Sequence, residues 1–438
     1  LFAAAASAQL SPGTEEKLDA LFTAKAPKDG PGLVVGVVKD GRLVYGKGFG
    51  LANLEQGTPL NSKSVIDVGS VTKHFTATAL VLLEDEGKLS LDDEVQKWIP
   101  SLPNFGRPIT IRRLLNHTSG LRDYFTLLVL KGWQLDQPLT TQKVLDLMTD
   151  QRDLNFPPGS SFNYCNTGYV LASEIVKRAS KESLDAYLKR RVFTPLGMKA
   201  TTLYTDTSSV IPGRVESYRK AGTRWTRLTA PQMTVGDGGL LTTIEDFAKW
   251  DAALQGGLKL KKGPLIDLLT DLSGFPKIGA EYGLGLFIDK LEGIKRINHG
   301  GDWLGFNAQY SVFPEKGISI MTFANEGTQI GKSLNNEAAK LLLGIDKPAV
   351  GAQGEVSWPA GLMGRMEGDW VGKVGPTELK ITFRAANAQP QMQAEGQPAL
   401  RLYARSEDEV FIKEAEVTIK KGEADGQMGW HAGGVRFG

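Results

Sequence analysis

The chain reads as an α+β fold with a small all-β domain after it. Two features of the sequence carry this reading. Up to about residue 345 a hairpin comes first, then a run of helices, then antiparallel strands and a last helix. That order lacks the regular strand–helix alternation of a parallel sheet. Beyond residue 345 the pattern changes to short alternating strands, the signature of a small antiparallel barrel or sandwich.

Taken in order, residues 33–39 are rich in valine, Asp40-Gly41 is a type I′ turn signal, and Leu43-Val44-Tyr45 returns as a second strand. Residues 70–86 predict a helix that is apolar on most faces and stopped by Gly87, so it belongs in a core. From 89 to about 210 the periodicity is mostly helical, at 111–115, 141–150, 168–179 and 184–192. Asn155 to Ser161, with Pro157-Pro158-Gly159 inside it, is a rigid loop. Strands are expected at 285–288, 293–298, 309–313 and 318–323, the last two joined by a Pro314–Gly317 turn, and a closing helix at 335–343. Pro348, Gly351, Gly354 and Pro359 mark a linker, placed at 346–362 between domains at 10–345 and 363–438. The terminal domain shows strands at 379–383, 399–404, 409–413 and 416–420, with Trp358, Trp370 and Trp430 read as core.

Charge and composition exclude several functions. With 51 Lys plus Arg against 49 Asp plus Glu, the net charge of +2 gives no electrostatic case for a nucleic-acid or anionic-membrane binder. Cys165 is the single cysteine, which excludes an intrachain disulfide and a multi-cysteine cluster. His74, His117, His299 and His431 are widely spaced, so neither a metal nor another cofactor is expected. No apolar run approaches the ~20 residues of a transmembrane helix. Ala6-Ser7-Ala8 fits the small-x-small rule of a secretory cleavage site. Residues 1–9 are therefore expected to be a signal-peptide remnant, and the protein to be exported, to a bacterial periplasm or the exterior.

Three short motifs could carry chemistry. Ser70-Val71-Thr72-Lys73 places a hydroxyl and an amine at i and i+3, on one helical face. A serine needs an adjacent base, and a buried lysine can be one once burial lowers its pKa. A first-turn serine also sits among free backbone N–H groups. The spacing alone equally fits a capping serine and a snorkelling lysine. A second copy, Ser217-Tyr218-Arg219-Lys220, lies in a polar segment and is taken as chance. Tyr164-Cys165-Asn166 follows the Pro-Pro-Gly loop: a tyrosine beside a lysine can relay protons, and an asparagine can accept from the lysine and donate to a substrate carbonyl. His299-Gly300-Gly301-Asp302 ends a strand, where two glycines let a substrate approach and the Asp302 N–H could join that of Ser70 in an oxyanion hole. Gly46-x-Gly48-x-Gly50 has neither the spacing nor the following helix of a dinucleotide site and fits a bulged strand better.

In this order and context, Ser70-x-x-Lys73, Tyr164-x-Asn166 and His299-Gly-Gly resemble the three motifs of the penicillin-recognising serine hydrolases, in the branch of class C β-lactamases, DD-carboxypeptidases, D-aminopeptidases and β-lactamase-fold esterases. Residues 114–121, 236–240 and 282–285 are also similar to segments of that branch. The resemblance covers about residues 30–345. It implies an antiparallel sheet flanked by helices plus an all-helical lobe, with the site between them, and a terminal barrel similar to the lipocalin-like domain of some members. It implies Ser70 as nucleophile, Lys73 and Tyr164 as proton movers, Asn166, His299, Gly300, Gly301 and Asp302 as substrate-binding residues, and a small-molecule or short-peptide substrate. His117 is assigned to stabilising a turn. Where the family often has Lys-Thr-Gly, this chain has His299, mostly neutral at pH 7 with an ordinary pKa of about 6.5. That favours D-aminopeptidase-like or esterase-like chemistry over substrates with a free carboxylate. A weak penicillin-binding protein, or a non-catalytic binder of peptidoglycan fragments, is the alternative. No second carboxylate base for deacylation is evident, and the oligomeric state is open.

Overall fold

The computed structural model describes residues 9–134, 136–276 and 281–345, and in the C-terminal part 362–374, 377–386, 389–394, 400–406, 409–412, 417–424, 427–432 and 435–437. Ala6-Ser7-Ala8, all but the last residue of the linker expected at 346–362, Trp358 and the side chain of Trp430 lie outside the described residues. The chain divides into two compact units, Leu1–Gly344 and Ile345–Gly438.

The first unit is built on a seven-stranded antiparallel sheet. Its strands are β1 (Leu33–Lys39), β2 (Arg42–Phe49), β3 (Glu281–Tyr282), β4 (Phe287–Leu291), β5 (Ile294–Trp303), β6 (Phe306–Phe313) and β7 (Ile318–Ala324), in spatial order β3-β4-β5-β6-β7-β1-β2. β1 lies between β7 and β2, which pair both its edges, and a core covers each of its faces, so its apolar run needs no polar alternation. Leu33, Val35 and Val37 pack with Leu18 and Phe22 of helix α1 (Thr14–Thr23), while Val34 and Val38 join the larger core on the opposite face. Asp40 (φ 49°) and Gly41 (φ 74°) make the type I′ turn that the sequence predicts.

Helix α2 (Lys73–Asp85) is buried from Lys73 to Leu83, as an all-round apolar helix must be. It starts three residues later than its pattern suggests, because Gly69–Thr72 tightens into a 3₁₀ turn held by the Thr72 hydroxyl donating to the Gly69 carbonyl at 2.7 Å. Helices at Ile111–Leu115, Tyr124–Leu130, Thr141–Thr149, α3 (Asn166–Ser180) and Leu184–Leu188 follow. Thr110, Asp123, Thr140 and Ser183 cap four of them by accepting first-turn N–H groups. Two further helices cover the sheet, α4 (Ile244–Ala252) with Phe247 and Trp250 in the larger core, and α5 (Ile330–Leu342) with Leu334 and Ala338 packed beside α1. Among the described residues no helix is long and apolar enough to cross a membrane.

The second unit is a closed antiparallel barrel of eight consecutive strands, Gly368–Val374, Thr377–Ala386, Gln389–Ala394, Leu400–Ser406, Glu409–Ile412, Val417–Ala424, Gln427–Ala432 and Val435–Phe437. Each pairs with the next, and Gly372 opposite Phe437 closes the ring, which removes the exposed edges. Ile381, Phe383, Leu402, Val410 and Ile419 are buried in it. Trp370, expected in the core, is only half-buried: its indole packs edge-on to Phe383 and donates to the Met366 carbonyl at 2.7 Å.

Candidate active site

Ser70 sits where the 3₁₀ turn meets β5. β4 pairs with β5 only as far as Asn298, so one edge of residues 299–303 has no strand beside it. The Ser70 turn lies against that edge, and two glycines set how closely. A Cβ on Gly69, whose φ is +51°, would stand 2.9 Å from the Asp302 nitrogen. One on Gly301 would stand 2.0 Å from the Val68 carbonyl oxygen and 2.9 Å from the Ser70 nitrogen. Both contacts are closer than any real Cβ allows, so this seam requires glycine at both positions. Its product is a pair of adjacent backbone donors, Ser70 N–H and Asp302 N–H, the geometry of an anion hole. Asp67 steadies the turn by accepting from the Gly69 N–H at 2.8 Å, and burial raises its carboxyl to about 6.

Lys73 is buried, and its Nζ reaches three oxygens: Ser70 Oγ at 2.9 Å, Asn166 Oδ1 at 2.9 Å and the Asp237 carbonyl at 2.7 Å. Two of these can only accept. A neutral amine has two hydrogens, which go to Asn166 and Asp237, and its lone pair is then left facing the Ser70 hydroxyl. Burial lowers the Lys73 pKa to about 8, against the pull of the Asp237 and Asp123 charges in the other direction. The Tyr164 hydroxyl bonds to Ser70, and its ring centroid lies 4.9 Å from Lys73 Nζ. Burial raises the tyrosine pKa, so it stands as a neutral phenol.

The Tyr-x-Asn loop is clamped from below. His117, at φ 59°, accepts the Cys165 N–H on Nδ1 at 3.0 Å, and its ring packs 4.2 Å from that of Tyr164. Asp123 accepts the Asn166 N–H at 2.6 Å where α3 begins. His117 thus holds a turn, as its sequence context suggests, and through Cys165 it also holds the loop that presents Tyr164.

Ser70, Tyr164, Asn166, His299, Gly300 and Asp302 line a cavity of about 880 Å³. Lys73 is buried beneath Ser70, at the other end of the bond between them. Two sequence expectations change here. His299 does not offer a polar atom to substrate: Nδ1 faces the Gly300 carbonyl at 2.5 Å and so carries the proton, leaving Nε2 to accept from the Tyr282 hydroxyl at 2.9 Å. Burial lowers its pKa to about 3, so the ring is neutral. Nor does Gly301 make room for substrate. It is not part of the cavity wall, and its missing side chain accommodates the backbone of Val68 and Ser70.

Asp237, Asp123, Asp67 and Tyr282 were not singled out from the sequence. Asp237 also accepts from the Tyr124 hydroxyl at 2.8 Å, and burial raises its carboxyl. The available signal was a carboxylate within the glycine-rich segment 236–240, which pointed to the loop but not to the use of its main chain.

A serine with a buried lysine beneath it and two backbone donors beside it, set into the edge of an antiparallel sheet, defines a serine hydrolase. The chain belongs to the Beta-lactamase family, whose model matches residues 18–344. It is similar to penicillin-binding protein 4* of Bacillus subtilis (26% identity over 87% of each chain). A D-aminopeptidase of Cereibacter sphaeroides is 29% identical over 68% of this chain, but the match spans only 57% of that relative's length. The structure of the octameric penicillin-binding protein homologue from Pyrococcus abyssi covers 97% of this chain and 99% of its own at 25% identity, with a TM-score of 0.69.

Proposed function

We propose that the protein hydrolyses amide bonds of small D-amino-acid derivatives and short peptides, and related small esters, through an acyl-enzyme on Ser70. The observation that carries this is the Lys73 amine, buried and 2.9 Å from Ser70 Oγ with its N–H groups committed elsewhere. Ser70 Oγ attacks the carbonyl carbon as its proton passes to Lys73, and the carbonyl oxygen becomes an oxyanion held by the Ser70 and Asp302 N–H groups. The proton then passes by way of Tyr164 to the leaving amine or alkoxide. Water enters where the leaving group stood, its proton passes by way of Tyr164 to Lys73, and Lys73 returns a proton to Ser70 Oγ as the ester bond breaks, which restores the free serine. The neutral His299 supports substrates without a carboxylate, and the D-aminopeptidase relative supports D-amino-acid amides.

The test is initial-rate hydrolysis of p-nitrophenyl butyrate and of D- and L-alanine p-nitroanilide by wild type and Ser70→Ala. The wild type should prefer the D-anilide, and the variant should lose roughly 10³-fold or more on every substrate cleaved. Equal rates in the two proteins, with the variant folded by circular dichroism, would sink the reading.

A further inference from the structure

The cavity wall beside Ser70 is unevenly charged. His299, where a permanent cation would capture a carboxylate, is neutral. Three residues further along β5, the exposed Asp302 lines the same cavity. Its Oδ1 accepts from Asn307 Nδ2 at 2.7 Å and from Gln329 Nε2 at 2.8 Å. These neutral amides orient the carboxylate without cancelling its charge. Two cations of the cavity are engaged elsewhere: Arg296 forks onto Asp289 at 2.8 and 2.7 Å, and Arg214 lies 4.0 Å from the Tyr204 ring centroid. Lys332 lines the cavity as well but forms no ion pair with Asp302.

Position gives this charge its meaning. The main-chain N–H of Asp302 is one half of the anion hole, so its own side chain starts beside the scissile carbonyl. In an amino-acid amide, the atom attached to the carbonyl carbon on the acyl side is Cα, and its substituent is an ammonium.

We propose that the Asp302 carboxylate binds the free α-ammonium of the residue whose carbonyl is attacked, so that the substrates are unblocked amino-acid amides and peptides cleaved after their first residue. This rests on the hydrolase reading above and adds to it the ligand for the substrate's positive end. N-acylated or desamino analogues lose that contact.

The test separates binding from turnover. Titration calorimetry at pH 6.5 on the Ser70→Ala protein compares D-phenylalaninamide with 3-phenylpropanamide, which lacks only the ammonium. The ammonium ligand should bind roughly tenfold tighter or better, the scale of one charge-assisted hydrogen bond. Adding Asp302→Asn, which keeps an acceptor for Asn307 and Gln329, should abolish the difference. Asp302→Glu, with the charge retained, should restore part of it. Equal affinities in the Ser70→Ala protein, undetectable binding of D-phenylalaninamide, or a preference that survives Asp302→Asn would each overturn the proposal. Wild-type cleavage of D-phenylalanine p-nitroanilide is read separately. Ammonium-selective binding without turnover would sink the hydrolase reading and leave Asp302 in its role.

Discussion

Lys73 is useful to Ser70 only when it is neutral, and its surroundings decide when that is. Burial lowers its pKa to about 8, while Asp237 and Asp123 keep it from falling further. Because the protonated amine has no lone pair, kcat/KM for a neutral ester should rise about tenfold per pH unit below 8 and level off above it. An amino-acid amide should behave differently. Its α-ammonium is lost near pH 7.7–8.0, so if Asp302 holds that charge the profile should turn down again about where the ester profile flattens. Parallel pH–rate profiles for p-nitrophenyl butyrate and D-alanine p-nitroanilide check both limbs, and an ester profile that stays flat from pH 6 to 9 would remove Lys73 as the base. Ser70, Lys73, Tyr164 and Asn166 were legible in the sequence because short fixed spacings bring each pair together. Asp237 was not, because it serves Lys73 through a main-chain carbonyl, which any residue possesses. His299 was legible as a position, but the bond that occupies its Nε2 was not, since its partner Tyr282 comes from β3, a strand too short to leave a pattern.

The meeting of β5 with the Ser70 turn depends on two absent side chains, and one of them offers a clean test. In Gly301→Ala the new methyl would lie 2.0 Å from the Val68 carbonyl oxygen and 2.9 Å from the Ser70 nitrogen. Both are backbone atoms and cannot swing away, so the turn must move off the strand and the two donors must part. The expected result is a fall in kcat of about 10²-fold or more, the effect of losing one oxyanion donor. Overpacking of this kind should also cost about 1–3 kcal/mol of stability. Steady-state kinetics together with thermal melting of the variant measure both, and wild-type kcat in Gly301→Ala would show that the seam does not set the hole. The same strand explains a gap in the sequence reading. The pattern ends at 298, yet β5 continues to Trp303 because β6 supplies partners from Tyr310 opposite His299 to Phe306 opposite Trp303. Tertiary pairing overrides the weak strand propensity of Gly-Gly-Asp there. Helix α4 went unread although Thr243 accepts from the Asp246 N–H and Glu245 and Asp246 occupy the first turn, an ordinary start signal. The β1–β2 hairpin was fully legible because its turn chemistry and its valine run agree.

The two units have separate frameworks. The seven-stranded sheet uses only residues between 33 and 324, and the barrel only residues between 368 and 437. Each encloses its own buried residues, and every group placed around Ser70 belongs to the first. The change in composition past residue 345 marked this division, yet only half of the barrel strands were read, because glycine and glutamine interrupt the alternation in three of the others and Val435–Phe437 is too short to show one. Separate sheets and separate cores predict separate unfolding. Differential scanning calorimetry of the whole chain should therefore resolve two transitions. The smaller, from a unit of fewer than 100 residues, should carry at most about 60–80 kcal/mol, and the larger several times that. Ester hydrolysis, assayed after brief heating to successive temperatures, should be lost with the larger transition alone. A chain ending at Gly344 should then show only that transition and keep its p-nitrophenyl butyrate rate within about twofold, since every group placed around Ser70 belongs to the first unit. A single transition carrying the combined heat, or loss of ester hydrolysis in step with the smaller one, would mean that the barrel is part of the cooperative unit that holds Ser70, Lys73 and Tyr164 in register.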